Sequence, residues 1–514
     1  MRHIGLGHNL TTLLMPPRTN PHRRTRSGAH PTYSCAESLQ SAAGYNGPIT
    51  RSRVFRAHPP TTIHSLPLEI LSEIFILVLP TDQELDSMPQ FYDWEIRTPA
   101  FCAVCSSWRS LALATPRLWN RILIHVPRRM NKAQAQRKAD DLIQWISRSH
   151  SLPLKLYVSG DFTQPPNGKG AEALIISVIK DHAARWESLL FEGSPSSSLL
   201  SFDGWYSLQR LYYPYFDPVS CANETIPWAN LTHLQIRKFI PCRDTAIIYM
   251  KCPKLVYLSI LVNPSAIGQN TVPVILEDLV AFYVQISYSQ AASFAPSLQT
   301  ILHQLSLPSL RAISVNGISS GDIEPLLNLF TRSSCTLDRL EMCGAFLTSR
   351  EYINVLAHSS CNSLTILSIR PALLGCALVD SEVLRRLTLH QNDTVCSHLS
   401  SLTIDYCIPT SLLSALLNMA ESRFGCAIGQ IPHEPALRYL RLHVEYLTEN
   451  VAEVDKVGRR SGMEFSHTKF MSGDGDHCFT AQFQTQGSGA PPYFGDLFWG
   501  ARSLRRVSPC VTNS

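Results

Sequence analysis

The chain has 514 residues, 45% hydrophobic and 17% charged, the balance of a folded protein with an extended core. No uncharged apolar run reaches the ~20 residues that a membrane helix needs; the longest, 70–79, is broken by Glu73 and followed by Pro80. The net charge of +5 is uneven: residues 1–60 hold eight arginines against Glu37 alone, a segment charge of +7, so the remainder sums to −2. A near-neutral body is a poor partner for nucleic acid, whose binding rests on phosphate neutralisation.

Residues 1–60 are rich in Arg, Pro, Ser, Thr, His and Gly and lack sustained apolar periodicity. Such a segment cannot bury enough surface to offset its ordering entropy, so it is expected to be a disordered basic tail. It has the composition of a mitochondrial transit peptide but no amphipathic helix, so a plain tail is the preferred reading. No continuous apolar stretch with a cleavage site is seen near the N-terminus. The fifteen cysteines are therefore expected to be reduced, in an intracellular protein of the cytoplasm or nucleus.

Order is expected from residue 61. Ser65 reads as an N-cap, and Pro67 is tolerated in a first turn. Leu66, Ile70, Ile74 and Leu77 fall at helical spacing, with Leu71, Phe75 and Val78 beside them. After a polar loop over 81–98, a second amphipathic stretch starts at Pro99. It places Phe101, Val104, Cys105, Trp108, Leu111 and Ala112 on one expected face.

The order Leu66-Pro67-x-Glu69-Ile70-Leu71-x-x-Ile74-Phe75, then Val104-Cys105-x-x-Trp108-Arg109-x-Leu111-Ala112, resembles the F-box. The tail Ala114-Thr115-Pro116-Arg117-Leu118-Trp119 is similar to the variant of large fungal F-box families. The likeness covers about sixty residues and departs from the compact module by a loop some ten residues longer. Two later segments, Trp145 to Leu156 and His182 to Leu189, resemble helix-to-strand steps of the same proteins.

From about residue 150 a signature Leu-x-x-Leu-x-[Leu/Ile] recurs. Copies start at Leu231, Leu255, Leu310, Leu337, Leu364, Leu399 and Leu437. Alternation over so short a span suits a half-buried strand. Helical stretches at 322–332 and 349–358 feed two of these strands at a period of 27 residues, inside the leucine-rich repeat range. Leu384 to Asn392 fits the consensus too, but the next copy follows after only 15 residues; it reads better as the end of a helix, 380–387. The array is expected to close with a strand over 437–444 and a helix near 449–458, and residues 466–514 to form a loose tail.

The expected fold is thus α/β: a small all-helical module at 61–125 and an irregular solenoid of parallel strands and helices at 126–465. No catalytic, cofactor or metal residue is expected, and no enzyme. Cys102-Ala103-Val104-Cys105 lacks the second ligand pair that a structural zinc needs, and core packing explains it. Cys252, Cys335, Cys361 and Cys396 precede strands at like positions and are expected to form a buried column. The aromatic run Trp205-Tyr206, Tyr212-Tyr213 and Tyr215-Phe216 is read as packing, with an exposed binding patch as the alternative.

The resemblance implies docking to the Skp-type adaptor of a cullin–RING ubiquitin ligase, with the repeats binding an unknown target protein. It assigns adaptor binding to Leu66, Pro67, Ile70, Leu71, Ile74, Phe75, Val104, Trp108 and Leu111, without separating core from interface. The alternative is a repeat scaffold that does not engage the ligase. Neither nucleic acid nor membrane is an expected partner.

Overall fold

The structure is a computed structural model, and it describes residues 63–79, 97–127, 130–160, 172–192, 204–213, 226–263, 273–286, 297–303, 305–344, 347–371, 379–389, 394–424, 437–445, 448–461, 464–471 and 477–484. The expected tail at 1–60 and most of the loop at 81–98 lie outside these residues. No helix among them is long and apolar enough to cross a membrane.

Three short helices come first: α1 (Leu68–Val78), α2 (Arg97–Val104) and α3 (Ser106–Leu113). Strands follow as β1 (Arg121–Val126), β2 (Leu154–Gly160), β3 (Trp186–Glu192), β4 (Arg210–Tyr213), β5 (His233–Pro241) and β6 (Tyr257–Asn263). Next come β7 (Val274–Ile275), β8 (Ala281–Ile286), β9 (Leu305–Ser306), β10 (Ala312–Ile318), β11 (Arg339–Gly344) and β12 (Ile366–Pro371). The last are β13 (Ser401–Ile408), β14 (Tyr439–Glu445), β15 (Glu464–Met471) and β16 (His477–Gln484). Crossover helices are α4 (Lys132–Arg148), α5 (Glu172–Asp181), α6 (Cys242–Lys251), α7 (Ser297–Leu302), α8 (Ile323–Ser333), α9 (Ser349–Leu356), α10 (Ser381–Leu387), α11 (Leu413–Arg423) and α12 (Thr448–Ser461).

The fold is mixed α/β around one 14-stranded sheet. Its strands run parallel in chain order from β1 to β14, except that β7 and β9 leave the row and pair with each other. Every expected signature leucine from Leu231 to Leu437 stands two residues before an observed strand. The sheet starts earlier than expected, because β1 pairs with β2 from Arg121 onward. Strands β4 and β8 were not anticipated: Leu279-x-x-Phe282-x-Val284 uses an aromatic where the signature has leucine. Phe282 nevertheless aligns with Leu258 and Ile313.

One column runs through the whole sheet. Ile122, Leu156, Leu189, Leu211, Leu234, Leu258, Phe282, Ile313, Leu340, Leu367, Leu402 and Leu440 are successive register partners, and all are buried. A fully buried side chain of this size contributes about 1.5–3 kcal/mol, so the column fixes the register strongly. Spacing along the chain ranges from 22 residues (Leu189 to Leu211) to 38 (Leu402 to Leu440) without a break in pairing. Length variation is absorbed by the connections, where loop closure costs little more as loops lengthen.

Helices cover the column's face. Ala139, Leu142 and Ile146 of α4, Leu326, Leu329 and Phe330 of α8, and Leu416 of α11 share its core. Cys252, Cys335, Cys361 and Cys396 are all buried there. Burial pushes the Cys396 thiol up to about 12 and raises Cys335 and Cys361 as well, so these thiols stay protonated and unreactive. Three arginines tie crossovers together. Arg185 donates to Ser149 Oγ and Leu152 O, and Arg332 to Leu302 O and Leu305 O. Arg423, fully buried, donates to Leu387 O, Val395 O and Cys396 O. Burial brings its guanidinium down to about 10. The expected helix over 380–387 is α10, with Asp380 capping it through Glu382 N–H and Val383 N–H.

The loose tail expected over 466–514 is corrected for residues 466–471 and 477–484, while 485–514 lie outside the described residues. Residues 464–471 and 477–484 form an antiparallel pair that closes the sheet beside β14. Phe483 is fully buried, aligned with Leu440 and 5.7 Å from the Phe424 ring.

Candidate functional site

The helical module is built around one phenylalanine. Phe75 stacks on Phe101 at 4.5 Å with 5° between planes, and meets Trp108 at 4.8 Å. Its core is Leu71, Phe75, Leu79, Ala112, Leu118 and Trp119. Helix α1 begins after Pro67, which holds the N-cap position without a side-chain cap; the expected cap, Ser65, lies in a preceding 3-10 turn. Pro67 supplies no N–H but accepts from Leu71 N–H through its carbonyl, so the turn closes without Ser65.

The single amphipathic helix expected from Pro99 is two helices. Cys105 is extended (φ −158°, ψ 172°) and its Sγ accepts from Trp108 N–H at 3.5 Å, so the second cysteine of the CxxC caps α3. Arg109 Nε donates to Cys102 O across the break at 2.8 Å. The break leaves most of the expected face intact, since Phe101, Trp108, Leu111 and Ala112 pack on one core, but it takes Cys105 into the cap and leaves Val104 outside. Trp108 and Leu111 pack on the module core, while Val104 is 58% exposed.

The nine assigned residues therefore divide. Leu71 and Phe75 are buried; Leu66, Ile74, Trp108 and Leu111 are half-buried; Pro67, Ile70 and Val104 are exposed. Ile70 and Leu77 lie seven residues apart on one helix face and are 51% and 80% exposed. Leu68, Val78 and Leu113 are exposed as well. Among the described residues beyond this module, the exposed large apolar side chains are Ile143, Tyr206, Phe239, Met250, Ile275 and Val280, spread over 138 residues of chain. Monomeric proteins seldom leave apolar side chains so concentrated in water. The Glu73–Arg117 pair at 2.7 Å is exposed and contributes little.

The sheet's other face carries a row of polar side chains, all but Tyr283 of them buried. Its side chains include Tyr212, Gln235, Ser259, Tyr283, Ser314, Glu341, Ser368 and Thr403, successive partners in register. Arg370 bridges neighbouring strands there, 3.0 Å from Glu341 and 3.7 Å from Asp405. Burial opposes its charge, yet the two carboxylates hold its pKa above the usual value. Burial, with Glu341 nearby, raises the Tyr283 hydroxyl, and burial pushes Cys343 up to about 12. Both remain protonated at neutral pH, so neither is a ready nucleophile or base. Among the described residues, no group of three or more His, Cys, Asp or Glu is placed to hold a metal ion.

The aromatic run also divides. Trp205 and Tyr212 are buried and Tyr206 is 73% exposed, while Tyr215 and Phe216 lie outside the described residues. No family model matches the chain, and no curated protein matches it.

Proposed function

We propose that the chain is the substrate-recognition subunit of an SCF-type cullin–RING ubiquitin ligase, with residues 63–119 acting as an F-box. The helices dock a Skp-type adaptor, and the sheet with its crossovers acts as an irregular leucine-rich repeat array that holds a target protein. The carrying observation is that Ile70 and Leu77, on one face of α1, stand in water, with Leu68, Val78 and Val104 of the same module also exposed, beside a core packed around Phe75. The likeness of the Leu66-Pro67 and Val104-Cys105-x-x-Trp108-Arg109 motifs to the F-box supports the same partner. The chain itself performs no chemistry; it raises the effective concentration of its target at the ligase.

The test uses the full chain with Ile70→Asp and Leu77→Asp, both exposed, so the module core keeps its contacts. Burying two unpaired carboxylates at an interface costs several kcal/mol. Recovery of the adaptor in affinity purification is expected to fall by more than tenfold, with the melting temperature unchanged. Equal recovery from wild type and variant would leave a plain protein-binding scaffold instead.

A further inference from the structure

Strand β5 departs from its neighbours at one point. Gln235 pairs with Ser259, but the next aligned pair is Phe239 with Leu261, so four residues of β5 step past two of β6. A bulge of this kind bends the strand and re-aims its side chains. Here it turns out Arg237, Lys238 and Phe239: Lys238 is exposed and Phe239 is 39% exposed. The Arg237 guanidinium lies 5.0 Å from the centre of the Tyr212 ring, and that ring is buried beneath it.

Three observations decide what fits this rim. Strands β4, β5 and β6 contain Arg210, His233, Arg237 and Lys238 and no Asp or Glu. Among the described residues, no carboxylate lies within ion-pair distance of Arg237 or Lys238, whereas Arg370 on the same sheet has two. Stacking on Tyr212 holds the guanidinium plane in advance, which lowers the ordering cost of meeting a carboxylate. An Arg and an exposed aromatic side by side also form the usual centre of a protein–protein contact.

We infer that the β5 rim docks an acidic, aromatic-containing segment of a partner protein, its carboxylates on Arg237 and Lys238 and an apolar side chain on Phe239. This rests on the reading of the sheet as the target-binding part. A nucleic acid fits less well, because two cations neutralise too few phosphates and the chain beyond residue 60 carries a net −2.

The probe is a fluorescent random copolymer of Glu and Tyr, titrated into the full chain by anisotropy, with poly-Lys and a thymidine 20-mer in parallel. Wild type is expected to bind the copolymer, less tightly as salt rises. Arg237→Glu with Lys238→Glu is expected to weaken binding about tenfold or more. Arg350→Glu, on α9, should leave it unchanged. If the double variant melts early, Lys238→Glu alone carries the comparison, since that side chain is exposed. No copolymer binding by wild type, equal affinity in the β5 variants, or tighter binding of the thymidine 20-mer would overturn the inference. Adaptor recovery is measured separately: its absence from wild type removes the ligase reading and leaves the docking result standing.

Discussion

His233 shows how one side chain's surroundings set a measurable property. It begins β5, lies 6.1 Å from the Tyr257 ring, and its Nδ1 is 3.0 Å from Thr232 Oγ1. Burial, with Arg210 nearby, brings its pKa down to about 4. The unfolded chain, with an ordinary histidine near pH 6.5, binds more protons than the folded one between those limits. Stability is therefore present above about pH 6.5 and is lost as the pH falls toward 4, by about 3 kcal/mol at most for this residue. His182 and His358 are lowered by burial too and act in the same direction. Thermal melts at pH 7.5 and 4.5 should show a smaller acid-induced loss for His233→Gln than for wild type. Identical losses would show that His233 is solvated.

At the scale of elements, ends and interruptions matter more than helix or strand interiors. The thiol cap at Cys105 splits one amphipathic pattern into α2 and α3. Gly317, with φ +92°, sits in the β10 bulge, where a Cβ would meet Ile286 O at 3.0 Å. The antiparallel pair β16 and β15 covers β14, whose edge would otherwise stand open to association. Its anchorage rests on Phe483, so Phe483→Ala should destabilise the full chain by about 3–5 kcal/mol. Chemical denaturation checks this; a change under 1 kcal/mol would mean that the hairpin adds no core.

Across the whole molecule, the helical module and the sheet are not independent pieces. Trp119, buried in the module core, meets Trp145 of α4 edge-on at 5.0 Å, and Arg148 lies 4.5 Å over the Trp119 ring. A fragment ending at residue 125 cuts inside β1 and discards both partners, so the boundary suggested by motif length is mechanically wrong. Fragment 61–160 is expected to melt cooperatively and at least several degrees above 61–125. Equal melting of the two would show that the Trp119–Trp145 contact couples nothing.

What the sequence determines by itself is the local periodic part. Seven signature leucines locate seven strands, because alternation on a half-buried strand is enforced within a few residues. The cysteines ahead of four of them are buried as expected, since equivalent repeat positions share one environment. Helix α10 is legible where consensus alone would place a strand, because chain length left no room for a crossover. For the nine residues proposed to bind the adaptor, the sequence does not separate buried from exposed. Leu71 and Phe75 face the core while Ile70 and Leu77 face water, and only the placement of Phe101 and Trp108 around Phe75 decides which apolar stripe is inside. The same holds for Arg370 between Glu341 and Asp405, for the β5 bulge, and for Phe483 against Phe424. Each depends on groups far apart in the chain, and tertiary packing alone brings them within a few ångströms.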